Sequence, residues 1–273
     1  MKLLCPVKTG IFLTVVLLAT SMPVAAQKYK EDFNSAQEAA KGSLWADARN
    51  LFFSAATGAD EAADSEVAQR ARYAVAQIDY KMGTTAFKAE DFETALKHYS
   101  DGETIYPAYI KNVYGKGLAL RKLGREEEAL DNFMAASAAP GDRKTSLAAE
   151  NQIRDHFISQ ASTRLAKRNA TRADADAALT ALASLTQLME ADSDTYYYTA
   201  QAHYVKGDWA SAISAAEQAL AIHNGSRTDK AKIYYVLGES YVSINDRGAA
   251  KNAFQNALYG AYKLSAEHYL ETL

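Results

Sequence analysis

The sequence repeats one pattern of small and aromatic residues at an interval of about 34 residues, and that interval constrains the fold more than any other feature. The clearest copy has Gly83, Ala86 and Phe87, then Phe92, Ala95, Tyr99 and Pro107. The next has Gly117, Leu120, Gly124, Ala129, Phe133 and Ala136, so that Ala95 and Ala129 stand 34 residues apart. A third copy reads Ala200, His203, Gly207, Trp209, Ala212, Ala216 and Ala219, and a fourth Leu237, Gly238, Tyr241, Ala250, Phe254 and Ala257. A fixed period of this size predicts an array of paired helices. Two helices approach closely only where side chains are small, so Gly83, Gly117 and Gly238 are expected at crossings with Ala95, Ala129, Ala212 and Ala250. Tyr99, Phe133 and Phe254 are expected to fill the space between neighbouring pairs. No single pair can cover its own apolar face, so the pairs must stack.

These residues resemble the tetratricopeptide repeat, whose motif runs W-x-x-L-G-x-x-Y, then Ala, Phe and Ala in the second helix and Pro at its end. The resemblance is strongest over residues 76–143 and 193–264 and extends, with weaker copies, to about six repeats over 27–264. The first of these weaker copies has Ala36 and Ala39 with Trp45, Ala48, Phe52 and Ala55; the other, near 145–190, has Ala166 and Asn169 in its first helix and Ala178, Leu182 and Leu185 in its second. The Ala-, Glu-, Arg- and Gln-rich stretches 63–75 and 144–158 read as helix extensions, because they lack the Pro, Gly and Ser clusters of a hinge. Pro107 and Pro140 fall where second helices stop. The expected fold is therefore all-α: about twelve helices in, as the resemblance implies, one right-handed superhelical solenoid. Residues 265–273 form a capping half-repeat, with Ser265 as its N-cap.

The N-terminus is of a different kind. Lys2 and Lys8 precede an apolar run from Ile11 to Ala19, and Val24-Ala25-Ala26 supplies the small residues a signal peptidase reads. The run is short of the roughly 20 residues a bilayer span needs. The expectation is a signal peptide cleaved after Ala26, a periplasmic or secreted mature chain, and no stable membrane span once the leader is gone. The single cysteine, Cys5, lies in the leader, so the mature chain has no disulfide. Losing Lys2 and Lys8 leaves 28 basic against 33 acidic residues. A mildly acidic exported chain is a poor match for nucleic acid.

Reactive constellations do not emerge from the spacing. His98, His156, His203, His223 and His268 are scattered without metal-ligand spacing. Gly238-Glu239-Ser240-Tyr241 lies inside a helix and lacks the second glycine of a nucleophile elbow. The glycines follow the repeat period and form no phosphate cradle. The reading is accordingly of a non-enzymatic chain with no cofactor and no metal, and Lys167, Arg168 and Arg172 are read as a solvated helix end.

What the pattern offers is a surface. In tetratricopeptide arrays the first helices line a concave groove, and the position three before the packing glycine points into it. Here that position is Phe33, Tyr80, Tyr114, Thr163, Tyr197 and Tyr235, with Tyr269 in the terminal helix. Such a ladder suits recognition, since rigid aromatics with a polar tip give contact area at small entropic cost, and it equally suits packing between adjacent helices. Thr84, Lys88, Arg121 and Lys122 make the earlier half of the groove basic. Asp194, Gln201 and Glu239 make the later half neutral to acidic. The variant of the family that clamps a terminal carboxylate uses Lys and Asn where this chain has Tyr80, Thr84, Tyr114 and Leu118. The expected partner is an extended protein or peptide segment, acidic toward one end. A glycan-capture role, using Tyr196, Tyr197, Tyr198 and Tyr204 with Gln201 and Asp194, and an enzyme with a catalytic pair hidden from linear spacing are the competing readings. The apolar C-terminal end, with Tyr269, Leu270 and Leu273, suggests a weak homodimer.

Overall fold

The computed structural model describes residues 24–273, so the leader expected over 1–26 lies outside the described residues apart from the three that open the first helix. Among the described residues the chain is all helix: α1 Val24–Lys41, α2 Trp45–Glu61, α3 Ser65–Lys88, α4 Phe92–Ile105, α5 Ile110–Lys122, α6 Glu126–Ala138 and α7 Arg143–Leu165, followed by α8 Arg172–Leu188, α9 Ser193–Lys206, α10 Trp209–Ile222, α11 Arg227–Ser243, α12 Arg247–Asn256 and α13 Lys263–Thr272. No described helix is long and apolar enough to cross a membrane. Consecutive helices pack as six antiparallel pairs, and α13 closes the end against α12.

Local chemistry sets the helix starts. Asp64, Asp91, Asp142, Asp192, Asp208 and Asp246 each precede a helix and accept a hydrogen bond from the backbone N–H three residues on, satisfying a donor that has no partner within the helix. The turns inside the pairs are equally regular. Ser43, Glu90, Gly124, Gly207 and Asn245 each take a left-handed backbone, with φ between 60° and 77°, two residues before the second helix begins. Glycine enters that region without strain, which accounts for Gly124 and Gly207 recurring in the sequence pattern. The α7–α8 turn is the exception and contains no such residue.

The expected crossings are real, but their filling is more specific than small residue against small residue. A Cβ added at Gly83 would lie 2.8 Å from the Tyr99 ring, one at Gly117 2.7 Å from Phe133, and one at Gly238 2.8 Å from Phe254. Each glycine is thus the seat for the aromatic ring of its own pair. Tyr99 also presses on the following pair, since a Cβ at Gly115 would stand 2.6 Å from the same ring. Phe133 and Phe254 are fully buried, with Ala129 and Ala250 in their respective clusters, and Ala95 and Ala212 at the same position of their own pairs are likewise without exposure. One ring therefore locks a hairpin internally and, at Tyr99, joins it to its neighbour. A buried polar knot adds a second join over the first three pairs. Arg49 of α2 donates to Asp79 of α3, which has no exposed surface, and Asn112 of α5 donates to the Ala76 carbonyl at 2.9 Å. Burial pushes the Asp79 carboxyl up, and the Arg49 guanidinium offsets part of that effect.

Three readings from sequence are corrected. Residues 144–158 are the body of α7, the first helix of the fourth pair, not an extension of it; residues 65–75 do extend α3, while 63 and 64 are turn. Ala166 and Asn169 lie beyond the end of α7, in a six-residue connection, whereas the other pairs use two or three residues. The added residues shift the register: Ala161, with no exposure, takes the place of the packing glycine opposite the second-helix Ala175, so the ladder position is Ile158 and not Thr163, which is exposed. Ser265 lies within α13 and does not cap it, because the helix already begins at Lys263.

Candidate concave interaction face

Each first helix from α3 onward touches the first helix of the next pair, α3 with α5, α5 with α7, α7 with α9 and α9 with α11, while the second helices make no such pairs of that extent. First helices that draw together on one side place the inside of the curve there, so their outward residues share one face. The predicted residues on this face fall into two kinds.

Ladder rings are half-buried packing partners first. Phe33 meets Phe52 edge-on at 5.2 Å, Tyr80 lies 5.9 Å from Tyr99, Tyr114 5.8 Å from Phe133, and Tyr235 5.7 Å from Phe254. Each of these four ladder rings therefore leans on the locking ring of its own pair. The fifth pair shows the rule by its exception. Ala216 stands where the first, second, third and sixth pairs have a ring, and Tyr197 is buried to 4% exposure against Tyr198 in the same cluster. Its hydroxyl lies 3.4 Å from that of Tyr262, and burial holds its ionisation far above the ordinary tyrosine range. Asp194 is occupied as well: Lys232 donates to it at 2.7 Å and sits 4.8 Å from the centre of the Tyr197 ring. Thr84 is turned inward, donating to the Tyr80 carbonyl at 2.7 Å and lying 3.2 Å from the Tyr99 hydroxyl.

The charged residues divide differently. Lys88 and Lys122 are exposed and Gln201 is half-buried. Arg121 is committed to the next pair: it donates to the Gln152 side chain and, at 3.0 Å, to the Gln152 carbonyl, with its guanidinium 4.7 Å from the Phe133 ring. Glu239 lies between tyrosines, with the Tyr269 hydroxyl 3.4 Å from its carboxylate. Burial pushes this carboxyl up, and the hydroxyls of Tyr235 and Tyr269 offset only part of the shift.

Two clefts were invisible in the sequence. One, of about 440 Å³, opens between α5 and α7 and is lined by Arg121, Glu126, Asp155, His156, Ser159 and Gln160. The α7 side of this cleft is Asp155, His156, Ser159 and Gln160, around the shifted ladder position Ile158. The signal that locates this register is local: Thr171 and Asp174 form a reciprocal capping box that fixes the start of α8. The other cleft, of about 630 Å³, lies between α1 and α3, with the apolar residues Ala40, Trp45 and Ile78 under Lys41 and Lys81. The Lys81 ammonium rests 4.1 Å from the centre of the Trp45 ring. Among the described residues no group of three metal-ligating side chains converges.

No family model and no curated protein matches the chain. Among solved structures it is similar to the MamA protein, at 18% identity over 72% of this chain and 94% of that one with a TM-score of 0.40. A tetratricopeptide repeat protein from Parabacteroides merdae shares 16% identity over 90% of this chain and 98% of that one, with a TM-score of 0.34. The P58(IPK) TPR domain shares 18% identity over 88% of this chain and 63% of that one, also at 0.34. With glycine seat, locking ring and buried alanine shared by the second, third and sixth of the stacked hairpins, the fold is an all-α solenoid of tetratricopeptide-like helix pairs.

Proposed function

We propose that this protein is a non-enzymatic interaction scaffold that holds an extended protein segment along the inner face of its helix pairs. The observation that carries the reading is the direct contact between successive first helices from α3 to α11, which lays polar and aromatic residues of five pairs side by side. Such a face gives an extended chain repeated, similar contacts. Exposed Lys88 and Lys122, and the Lys41 and Lys81 rim of the first cleft, receive the acidic part of that segment; Trp45 and Ile78 receive an apolar side chain. The leader supports export, so the scaffold works in the periplasm or secreted space after cleavage following Ala26.

A photo-crosslinking amino acid placed at Lys88 or Lys122 is expected to trap one common partner from the native envelope, and the same group at the exposed Asp131 of α6 to trap none. Equal trapping from Asp131 removes the inner face from consideration. Mass determination of the exported chain is expected to show Gln27 as its first residue.

A further inference from the structure

The inner face contains two sites of similar design, and only one of them is filled by the chain itself. At the first, the Tyr197 ring and the Asp194 carboxylate hold the Lys232 ammonium, 4.8 Å from the ring centre and 2.7 Å from the carboxylate oxygen. At the second, one pair further along, Glu239 projects from α11 one turn after Tyr235, with Tyr204 of α9 and Tyr269 of α13 around it. The Tyr235 and Tyr269 ring centres lie 6.1 Å apart, and the Tyr262 ring centre lies 5.1 Å from that of Tyr235. The Tyr269 hydroxyl lies 3.4 Å from the Glu239 carboxylate, and among the described residues no basic side chain forms an ion pair with it; burial raises this carboxyl, and the hydroxyls of Tyr235 and Tyr269 act against that. Burial, and after it the charge of Glu239, pushes the hydroxyls of Tyr204 and Tyr235 up to about 12. The lysine of α13, Lys263, lies 3.8 Å from Glu267.

A half-buried carboxylate among tyrosine rings, with no positive charge of its own to offset desolvation, has the chemistry of a receptor for an organic cation. The ring faces attract a cation electrostatically, most strongly where water is excluded, and the carboxylate supplies the counter-charge. We infer that Glu239 with Tyr204, Tyr235 and Tyr269 binds a primary ammonium or guanidinium group carried by the partner segment, performing for the partner what Asp194 and Tyr197 perform for Lys232. The inference deepens the scaffold reading and rests on it for the source of the cation. It also fixes a direction: the basic group of the segment lies at the α11 end, and its acidic part toward Lys122 and Lys88.

The test titrates the mature chain, labelled in its tyrosine rings for NMR, with n-butylammonium, methylguanidinium and the neutral analogue n-butanol. The expected result is saturable movement of the Tyr204, Tyr235 and Tyr269 ring signals with one or both cations, little movement with butanol, and at least about tenfold weaker binding in Glu239→Gln. Glu239→Gln removes a desolvated charge, so the variant folds, and unchanged Tyr99 ring signals verify it. Equal response to butanol, equal response of the wild type and Glu239→Gln, or no saturation by either cation overturns the inference. The two readings separate cleanly. A partner trapped at Lys88 and Lys122 with silent tyrosines overturns this site and leaves the scaffold; responding tyrosines with no trapped partner overturn the scaffold and leave a receptor for free organic cations.

Discussion

The third and fourth hairpins solve the same packing problem in different ways. In α5–α6, Gly117 admits the fully buried Phe133 ring, a three-residue connection turns the chain at Gly124, and Arg121 reaches across to the next pair. In α7–α8, Ala161 and Ala175 pack without a ring between them, Leu179 stands half-buried where the ring is elsewhere, and the connection is twice as long. The second hairpin makes up for the missing lock with a reciprocal cap, Thr171 with Asp174, to which Lys167 also donates. One hairpin is held through its middle and the other at its turn. The open cleft beside His156 lies between these two designs.

The sharpest way to break the comparison is to remove the side chain at the equivalent position in each. Phe133→Ala empties a site with no solvent access and is expected to cost about 3–5 kcal/mol, whereas Leu179→Ala should cost about 1–2 kcal/mol because its site already meets water. Denaturant titration of both variants checks this, and equal losses would show that the fourth pair has a hidden lock. Overfilling is the next largest effect. Ala129→Leu or Gly117→Ala forces the Phe133 ring to move and should cost roughly 1–3 kcal/mol, measurable as a lower midpoint of unfolding at unchanged slope.

The turn-held hairpin responds to a different change. Thr171→Ala removes the cap and should cost about 1 kcal/mol, with faster amide exchange confined to the first turn of α8. Acid has a related effect. Hydrogen bonds from Lys167 and then from Thr171 hold the Asp174 carboxyl well below the usual carboxylate range. A depressed folded value means that this stabilisation is complete above the unfolded carboxylate value and is lost as pH falls through the folded one. Glu239 has the opposite sign, because burial raises its folded value. Its protonated form favours the folded state, a contribution present below the unfolded value and lost as pH rises through the folded one. Glu239→Gln is therefore expected to raise Tm at neutral pH by roughly 2–4 °C, and the gain should shrink toward pH 4. The smallest effect concerns the turns that the fourth hairpin lacks: Glu90 takes a left-handed φ of 61°, so Glu90→Gly should stabilise by about 0.5–1 kcal/mol.

The pattern Gly83–Ala95–Tyr99, returning as Gly117–Ala129–Phe133 and Gly238–Ala250–Phe254, was legible because each motif position answers to a contact inside its own hairpin. Contacts of that kind are encoded at fixed spacing, so reading one copy reads the others. The helices that carry the predicted partner-contact residues were legible, and the state of those residues less so. Counting correctly placed Tyr197 and Arg121 on first helices but gave no sign that Ala216 draws Tyr197 into the core, or that Gln152 occupies Arg121. Those outcomes depend on residues 19 and 31 positions away, in neighbouring helices.

The sequence by itself determined an all-α array of paired helices, because helix caps, turns and the glycine–ring lock are local and repeat with the chain. Only the tertiary structure decided which polar groups of the inner face are already satisfied and which are left open. Lys232 crosses from one pair to answer Asp194, among the described residues a tyrosine hydroxyl but no ion-pairing cation crosses to Glu239, and the register of α7 brings His156 to a cleft. The physical reason is that a buried charge is settled by whichever group the fold brings within a few ångströms, and spacing along the chain does not record that distance.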